Sequence, residues 1–250
     1  MFKQVILTAG LNCLLIIIVP TIFAMILTFF NRSSKQMLVS RFGFRSQIYF
    51  GWLGIISHEL SHLLVAKLFH HQIMSVKLVS LRPTDATLGH VEHQYNAKSW
   101  YQNLGNFFIG IAPIYGCSLI LLGLASLIYP ELWSLLRLDW TVLDFTQLHQ
   151  LLWKIISHGQ YAPWKLLVYF LLATQIVFGG FDLSRQDFQG SLRGLLPLVL
   201  VLSLLALGAV LVQLPLVAIL TKVTLIFGTL LGYAVILSFF YWLLLRLITR

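Results

Sequence analysis

The sequence predicts an all-α polytopic membrane protein: about six transmembrane helices with a small membrane-edge β-hairpin. Three observations carry that prediction. Hydrophobic residues make up 58% of the 250 residues and charged residues 10%, whereas soluble domains run to about 25% charged. Six stretches, about 5–30, 48–69, 101–129, 164–186, 191–213 and 216–245, each hold roughly the 20 apolar residues needed to cross a bilayer. The longest polar interval between them, 72–99, alternates as strands do.

On this reading the chain is one integral membrane domain, multi-pass, with the lipid bilayer as its surroundings and the cell membrane as its expected location. The net charge is +9, but the basic residues are scattered along loops and membrane flanks. A nucleic-acid footprint would cluster on one face, so no nucleic-acid partner is expected.

The first span, about 5–30, contains a single Pro20. It is too long for a signal-peptide core and shows no small-residue cleavage site, so it is expected to be retained. Asn31 to Gln47 reads as a basic loop, with Arg32, Lys35, Arg41 and Arg45 and no acid. The second span, about 48–69, ends near His70 and His71, which read as interfacial. Ser75 to Leu78 and Leu88 to His93 alternate around the turn signal Arg82-Pro83-Thr84-Asp85, giving a hairpin at about 73–95. His90 and His93 would face opposite sides of a strand and read as solvated.

Trp100 and Tyr101 anchor the third span at the interface. Ala112 and Gly116 form a small-xxx-small pair for close helix packing. Asn106 and Pro113 interrupt the apolar run, either lining a polar cavity or marking a packing kink. In 130–164, Leu148, Leu151, Leu152 and Ile155 recur at helical spacing and suggest an interfacial helix. The fourth span ends in a Gly179 to Gly190 tract holding Asp182 and Asp187, two of the five aspartates of the chain. The Gly190/Gly194 and Gly228/Gly232 pairs are helix-packing signals. Cys13 and Cys117 lie in apolar spans and read as buried small hydrophobes rather than a disulfide.

The chemistry is concentrated in His58-Glu59-Leu60-Ser61-His62, inside the second span. On a helix the two histidines share one face. Imidazoles so placed can grip a Zn2+ ion with a position left open for water, and Glu59 can take a proton from that water. With eight His and three Glu in 250 residues, chance would place this pattern in roughly three sequences per thousand. Polar groups within a membrane span are costly and usually functional. A catalytic zinc needs a third protein ligand, and the remaining intramembrane candidates are Asp182 and Asp187.

A membrane-embedded H-E-x-x-H with a distant Asp near the end of a later span resembles the site-2 protease family of intramembrane zinc metalloproteases. The amphiphilic hairpin after the motif helix is similar to one found in that family. Gly105-Asn106-Phe107-Phe108-Ile109-Gly110-Ile111-Ala112-Pro113 resembles a small bacterial-type branch, in which a Ser shortly precedes the Asp. Ser184-Arg185-Gln186-Asp187 is the match, so the resemblance implies Asp187 as third ligand beside His58 and His62, with Glu59 as general base. The Leu-Asp-Gly signature more usual in the family is absent here.

The implied activity is zinc-dependent cleavage of a peptide bond in or near a membrane-spanning segment. The implied partner is a membrane protein or peptide substrate, held extended by Asn106 or by the hairpin edge. Asp182 would then be solvated or paired with Arg185, because residues five apart on one helix point about 140° apart. A metal-ion transporter and a non-catalytic scaffold with a degenerate site are the alternatives. A transporter strings several ionisable groups through its spans, and these spans hold few.

Overall fold

A computed structural model describes residues 2–80, 88–128, 146, 150 and 163–249. Its elements in chain order are α1 (Phe2–Cys13), a π-helical turn (Leu14–Ile18), α2 (Val19–Phe42), α3 (Ser46–Leu68), β1 (Gln72–Lys77) and β2 (His90–Gln94). They are followed by α4 (Trp100–Ile128), α5 (Pro163–Gly180), α6 (Arg185–Leu211) and α7 (Leu216–Ile248). The protein is an all-α membrane protein with a small two-stranded antiparallel sheet, as its composition predicts. Four helical stretches are long and apolar enough to cross a membrane: Phe2–Phe42, Trp100–Ile128, Arg185–Leu211 and Leu216–Ile248. Helix α5 offers a shorter apolar stretch, Leu167–Gly180, and α3 carries the polar motif.

Two boundaries differ from the sequence expectation. The basic stretch from Asn31 is helical rather than a loop, and α1, the π turn and α2 form one continuous 41-residue rod. Nothing between Thr21 and Phe42 breaks a helix. The break falls at Gly43, whose φ of +78° closes the helix end. The expected span 164–186 instead ends at Gly180, and Asp187 belongs to the first turn of α6. The cause is local. Ser184 is an N-cap whose side chain accepts from the Asp187 backbone N–H, while the Asp187 carboxylate accepts from the Ser184 N–H at 2.7 Å. This capping box starts a new helix.

The predicted hairpin forms, with Val76 opposite Val91 and Lys77 opposite His90, and a bulge between Ile73 and Ser75. Its turn at Arg82-Pro83-Thr84-Asp85, and the interfacial helix expected within 130–164, lie outside the described residues.

Large apolar side chains such as Phe29, Tyr49, Leu127, Leu196 and Leu204 point outward. That is an aggregation-prone surface in water and a fitting one for lipid. Inside, α2, α4, α5 and α7 share a core around Leu27, Ile114, Leu121, Ile176 and Leu231. A second cluster joins α4 to α6 through Phe107, Ile111, Leu198 and Leu202. Cys117 is buried and Cys13 half-buried, both as free thiols.

Helix α3 is wedged against α4 and α5, and small residues set the approach. A β-carbon on Gly54 would lie 2.5 Å from the Gly180 backbone N, so only glycine lets α3 meet the end of α5. Gly116 likewise abuts Ser61 of α3, as the small-xxx-small signal predicts. A β-carbon on Gly228 or Gly232, in contrast, would meet nothing within 4 Å among the described residues.

Candidate metal centre

His58 and His62 are both buried on the inward face of α3. Each ring is held by a backbone carbonyl that a helix interruption has freed. A helix leaves its last carbonyls without internal partners, and the Gly180 carbonyl at the end of α5 accepts from His58 Nδ1–H at 2.9 Å. Pro113 has no N–H, so the carbonyl four residues earlier loses its helical donor. That carbonyl is Ile109, and it accepts from His62 Nδ1–H at 2.8 Å. The interruption at Pro113 therefore aims a histidine.

These bonds fix the tautomers. A carbonyl can only accept, so both Nδ1 atoms carry protons and both neutral rings present an Nε2 lone pair. The two Nε2 atoms lie 3.1 Å apart. The Asp187 carboxylate completes the group, with Oδ1 at 3.2 Å from His62 Nε2 and Oδ2 at 3.7 Å from His58 Nε2. Three acceptors facing one point repel unless a cation sits among them. Ligands at about 2.0–2.1 Å from a tetrahedral zinc stand about 3.3 Å from each other. The separations of 3.1, 3.2 and 3.7 Å bracket that value. Histidine rings anchored through the remote nitrogen are also the usual support of a metal ligand. The donor set therefore fits a divalent ion.

Among the described residues this is the one His/Cys/Asp/Glu group able to hold a metal. Asp187 is brought to it by the capping box and by Gly110 of α4, which packs directly on the Asp187 carbonyl and on Ser191. Asp182 is not at the site and does not pair with Arg185. Its carboxylate accepts from Lys35 at 3.1 Å and Arg32 at 3.4 Å, both on α2. It is turned there because Asp182 precedes the cap and lies on a different segment from Asp187. The expected 140° relation within one helix does not apply.

A cavity of about 490 Å³ opens on the group. Glu59, Asn106, Gln186 and the hairpin residues Gly89 to His93 line it together with His58, His62 and Asp187. Gly89 lies against the Glu59 side chain, where a β-carbon would sit 2.8 Å from Cγ. Asn106 is buried, and its Nδ2 has no hydrogen-bond partner among the described residues. Alternate residues of a strand point to opposite faces. A cavity touching four consecutive residues of β2, His90 to His93, and Gly89 before them therefore runs along the strand's edge. On its other edge β2 pairs with β1.

The hairpin histidines are not solvated as their spacing suggested. His93 and His90 are half-buried, and His71 is buried. His71 Nε2–H donates to the Gln102 carbonyl at 2.9 Å, so its Nδ1 accepts from His93 Nδ1–H, also at 2.9 Å. Burial holds both imidazoles below their ordinary pKa, His93 at about 4. Both His90 and His93 reach the cavity because it follows the strand edge rather than one face.

The roles of Pro113, Ser184 and Gly110 escaped the sequence reading. Two of them carried a signal: a proline four residues after a carbonyl, and an S-x-x-D ahead of an apolar run. Compared with known proteins, the chain matches no family, no curated protein and no solved structure.

Proposed function

We propose that the protein is a zinc-dependent intramembrane endopeptidase acting on a peptide bond in or near a membrane-spanning segment. The observation that carries this reading is the convergence of three acceptors, His58 Nε2, His62 Nε2 and the Asp187 carboxylate, beside a buried Glu59 in one cavity. His58, His62 and Asp187 would hold the ion. When bound, zinc supplies a Lewis acid and brings the pKa of water toward about 7.

The chain's own residues supply the rest. Glu59 removes a proton from the attacking water as its oxygen bonds to the scissile carbonyl carbon. It then delivers that proton to the leaving nitrogen as the C–N bond breaks. The open edge of β2 hydrogen-bonds an unwound substrate segment as an added strand. An orphaned buried donor costs about 1–3 kcal/mol, and Asn106 Nδ2 recovers that by donating to a substrate carbonyl. The cavity's enclosure by Gly89 and α4 limits water around the reacting bond.

The test is cleavage of a panel of membrane-spanning reporters in proteoliposomes by wild type and Glu59→Gln, with zinc measured in both. The expected result is cleavage by wild type alone, with equal zinc in the two proteins. Equal cleavage rates would remove Glu59 from the chemistry. Zinc in both without cleavage of any reporter would favour a scaffold.

A further inference from the structure

A second cavity, about 750 Å³, lies between the α2 rod and α6, on the other side of Ser184 from the metal group. Its lining is graded. At one end stand Arg32, Ser33, Gln36, Ser184 and Arg185. Away from them the walls become mostly apolar on both helices, through Phe29, Met25 and Ala24 on α2 and Phe188, Leu192 and Leu195 on α6, and the hydroxyls of Thr21, Thr28 and Ser191 among them are hydrogen-bonded within the fold. The two gradients run in the same direction because Arg32 donates to the Leu183 carbonyl at 3.1 Å and pairs with Asp182, pinning the polar ends together.

Charge at the polar end is unbalanced. Lys35 and Arg32 share one carboxylate, Asp182. Arg185 is exposed and has no ion-pair partner among the described residues. Of the two arginines on the cavity wall, Arg32 already has Asp182, and Arg185 stands without an anion beside the first turn of α6, where the helix dipole also favours negative charge.

The length of the trough decides between occupants. The α6 wall sets how far the trough is walled on both sides: from Arg185 to Leu195 it measures about 15 Å at about 1.5 Å per residue, while the α2 side continues from Gln36 to Ile17, about 28 Å. One leaflet of a bilayer's hydrocarbon core is about 15 Å thick, while a membrane-spanning segment needs about 30 Å. A cationic rung above a one-leaflet apolar trough matches a single lipid. Basic pockets between membrane helices are suited to anionic head groups.

We infer that the α2/α6 trough binds one anionic phospholipid, its phosphate between Arg32 and Arg185 and an acyl chain along Met25 and Leu192. This inference does not depend on peptidase activity. The head group would sit against Ser184, the cap of the helix that carries Asp187.

The experiment uses the full chain in detergent, titrated with fluorescently labelled phosphatidylglycerol and phosphatidylcholine. Each arginine near a lipid phosphate is worth about fivefold in affinity. Wild type should therefore prefer phosphatidylglycerol at least fivefold, and Arg185→Gln should lose about fivefold for that lipid and less for phosphatidylcholine, whose choline offsets its phosphate charge. Leu192→Asp, which places a carboxylate on the trough wall, should weaken both lipids. Glu59→Gln should bind like wild type, separating this result from any failure of the peptidase reading. Equal affinity of wild type for the two lipids, or phosphatidylglycerol binding unchanged in Arg185→Gln, would overturn the inference. So would full displacement of the lipid by one equivalent of a single-span peptide, which would assign the trough to polypeptide.

Discussion

Gly110→Ala tests how the metal group is assembled, because Gly110 touches no proposed ligand's side chain. A β-carbon there would lie 2.8 Å from the Ser191 backbone N and against the Asp187 carbonyl. Ordinary contact is about 3.5 Å, so α4 and the first turn of α6 must separate by at least about 0.7 Å. Both atoms are backbone, and no side-chain rotation can absorb the shift. Metal–ligand distances tolerate about 0.2 Å, so Asp187 leaves coordination range while its chemistry is untouched. The expected result is a zinc affinity lowered by about 10–100-fold, the usual loss when a ligand's support is removed. Overpacking should also cost about 1–3 kcal/mol of stability. The assay is chelator competition on the purified full chain, with Gly123→Ala as control, since a β-carbon on Gly123 would meet nothing within 4 Å among the described residues. Zinc affinity equal to wild type in a folded Gly110→Ala protein would refute the claim that this contact sets the position of Asp187.

Asp187→Ala should release most of the zinc. Asp182→Ala should keep the zinc yet lose about 2–3 kcal/mol, because it strips the partner from Lys35, whose side chain is only 13% exposed; the reverse pattern in metal analysis would exchange their roles. Pro113→Ala returns a helical donor to the Ile109 carbonyl and so competes with His62. It should raise or preserve thermal stability, since proline inside a helix costs about 3 kcal/mol, while lowering zinc affinity about tenfold; unchanged affinity would sink the argument. Hairpin docking should depend on acidity. His71 and His93 are held neutral, with folded pKa values below the unfolded 6.5. Between about pH 6.5 and 4 the undocked state therefore binds more protons, and docking is complete above that window and lost as pH falls through it. Amide exchange of 72–77 and 90–94, corrected for the intrinsic rate, should show faster opening at pH 4.5 than at pH 7, and slower opening would contradict the assignment.

The two histidines were legible because their relation is local: four residues on a helix fix a shared face whatever surrounds it. Asp187 lies 125 positions after His62, and no periodicity links them; the resemblance proposed it. The end of the fourth span was misjudged because hydropathy ignores caps. Gly179, Gly180 and Phe181 continue an apolar run, and only the Ser184–Asp187 exchange reveals a new helix. The basic stretch from Asn31 misled in a different way. Its charges looked loop-like, yet Arg32 and Lys35 stay helical beside the membrane part because Asp182, some 150 residues on, meets them. His71 read as interfacial and His93 as solvated because their burial comes from the docking of the hairpin on Gln102 of α4. That contact is tertiary and leaves no trace in strand alternation.

The metal group and the helix interruptions around it explain each other. In a bilayer an unpaired backbone group costs several kcal/mol, so a proline inside α4 and a helix end at Gly180 are expensive without partners. His62 and His58 remove that cost by donating to the two freed carbonyls. Ser184 does the same for the start of α6 by accepting from the Asp187 N–H. Each proposed ligand is thus bound to a backbone defect that would be unstable without it. The defects in turn hold the three acceptors 3.1, 3.2 and 3.7 Å apart, a spacing that would suit a divalent ion. The arrangement also assigns the two halves of each imidazole. Nδ1 stabilises the fold, and Nε2, left as a bare acceptor 3.1 Å from its counterpart, is destabilising until a cation joins it. Replacing His62 by alanine removes both functions at once, whereas a residue that could donate to the Ile109 carbonyl without coordinating would separate them.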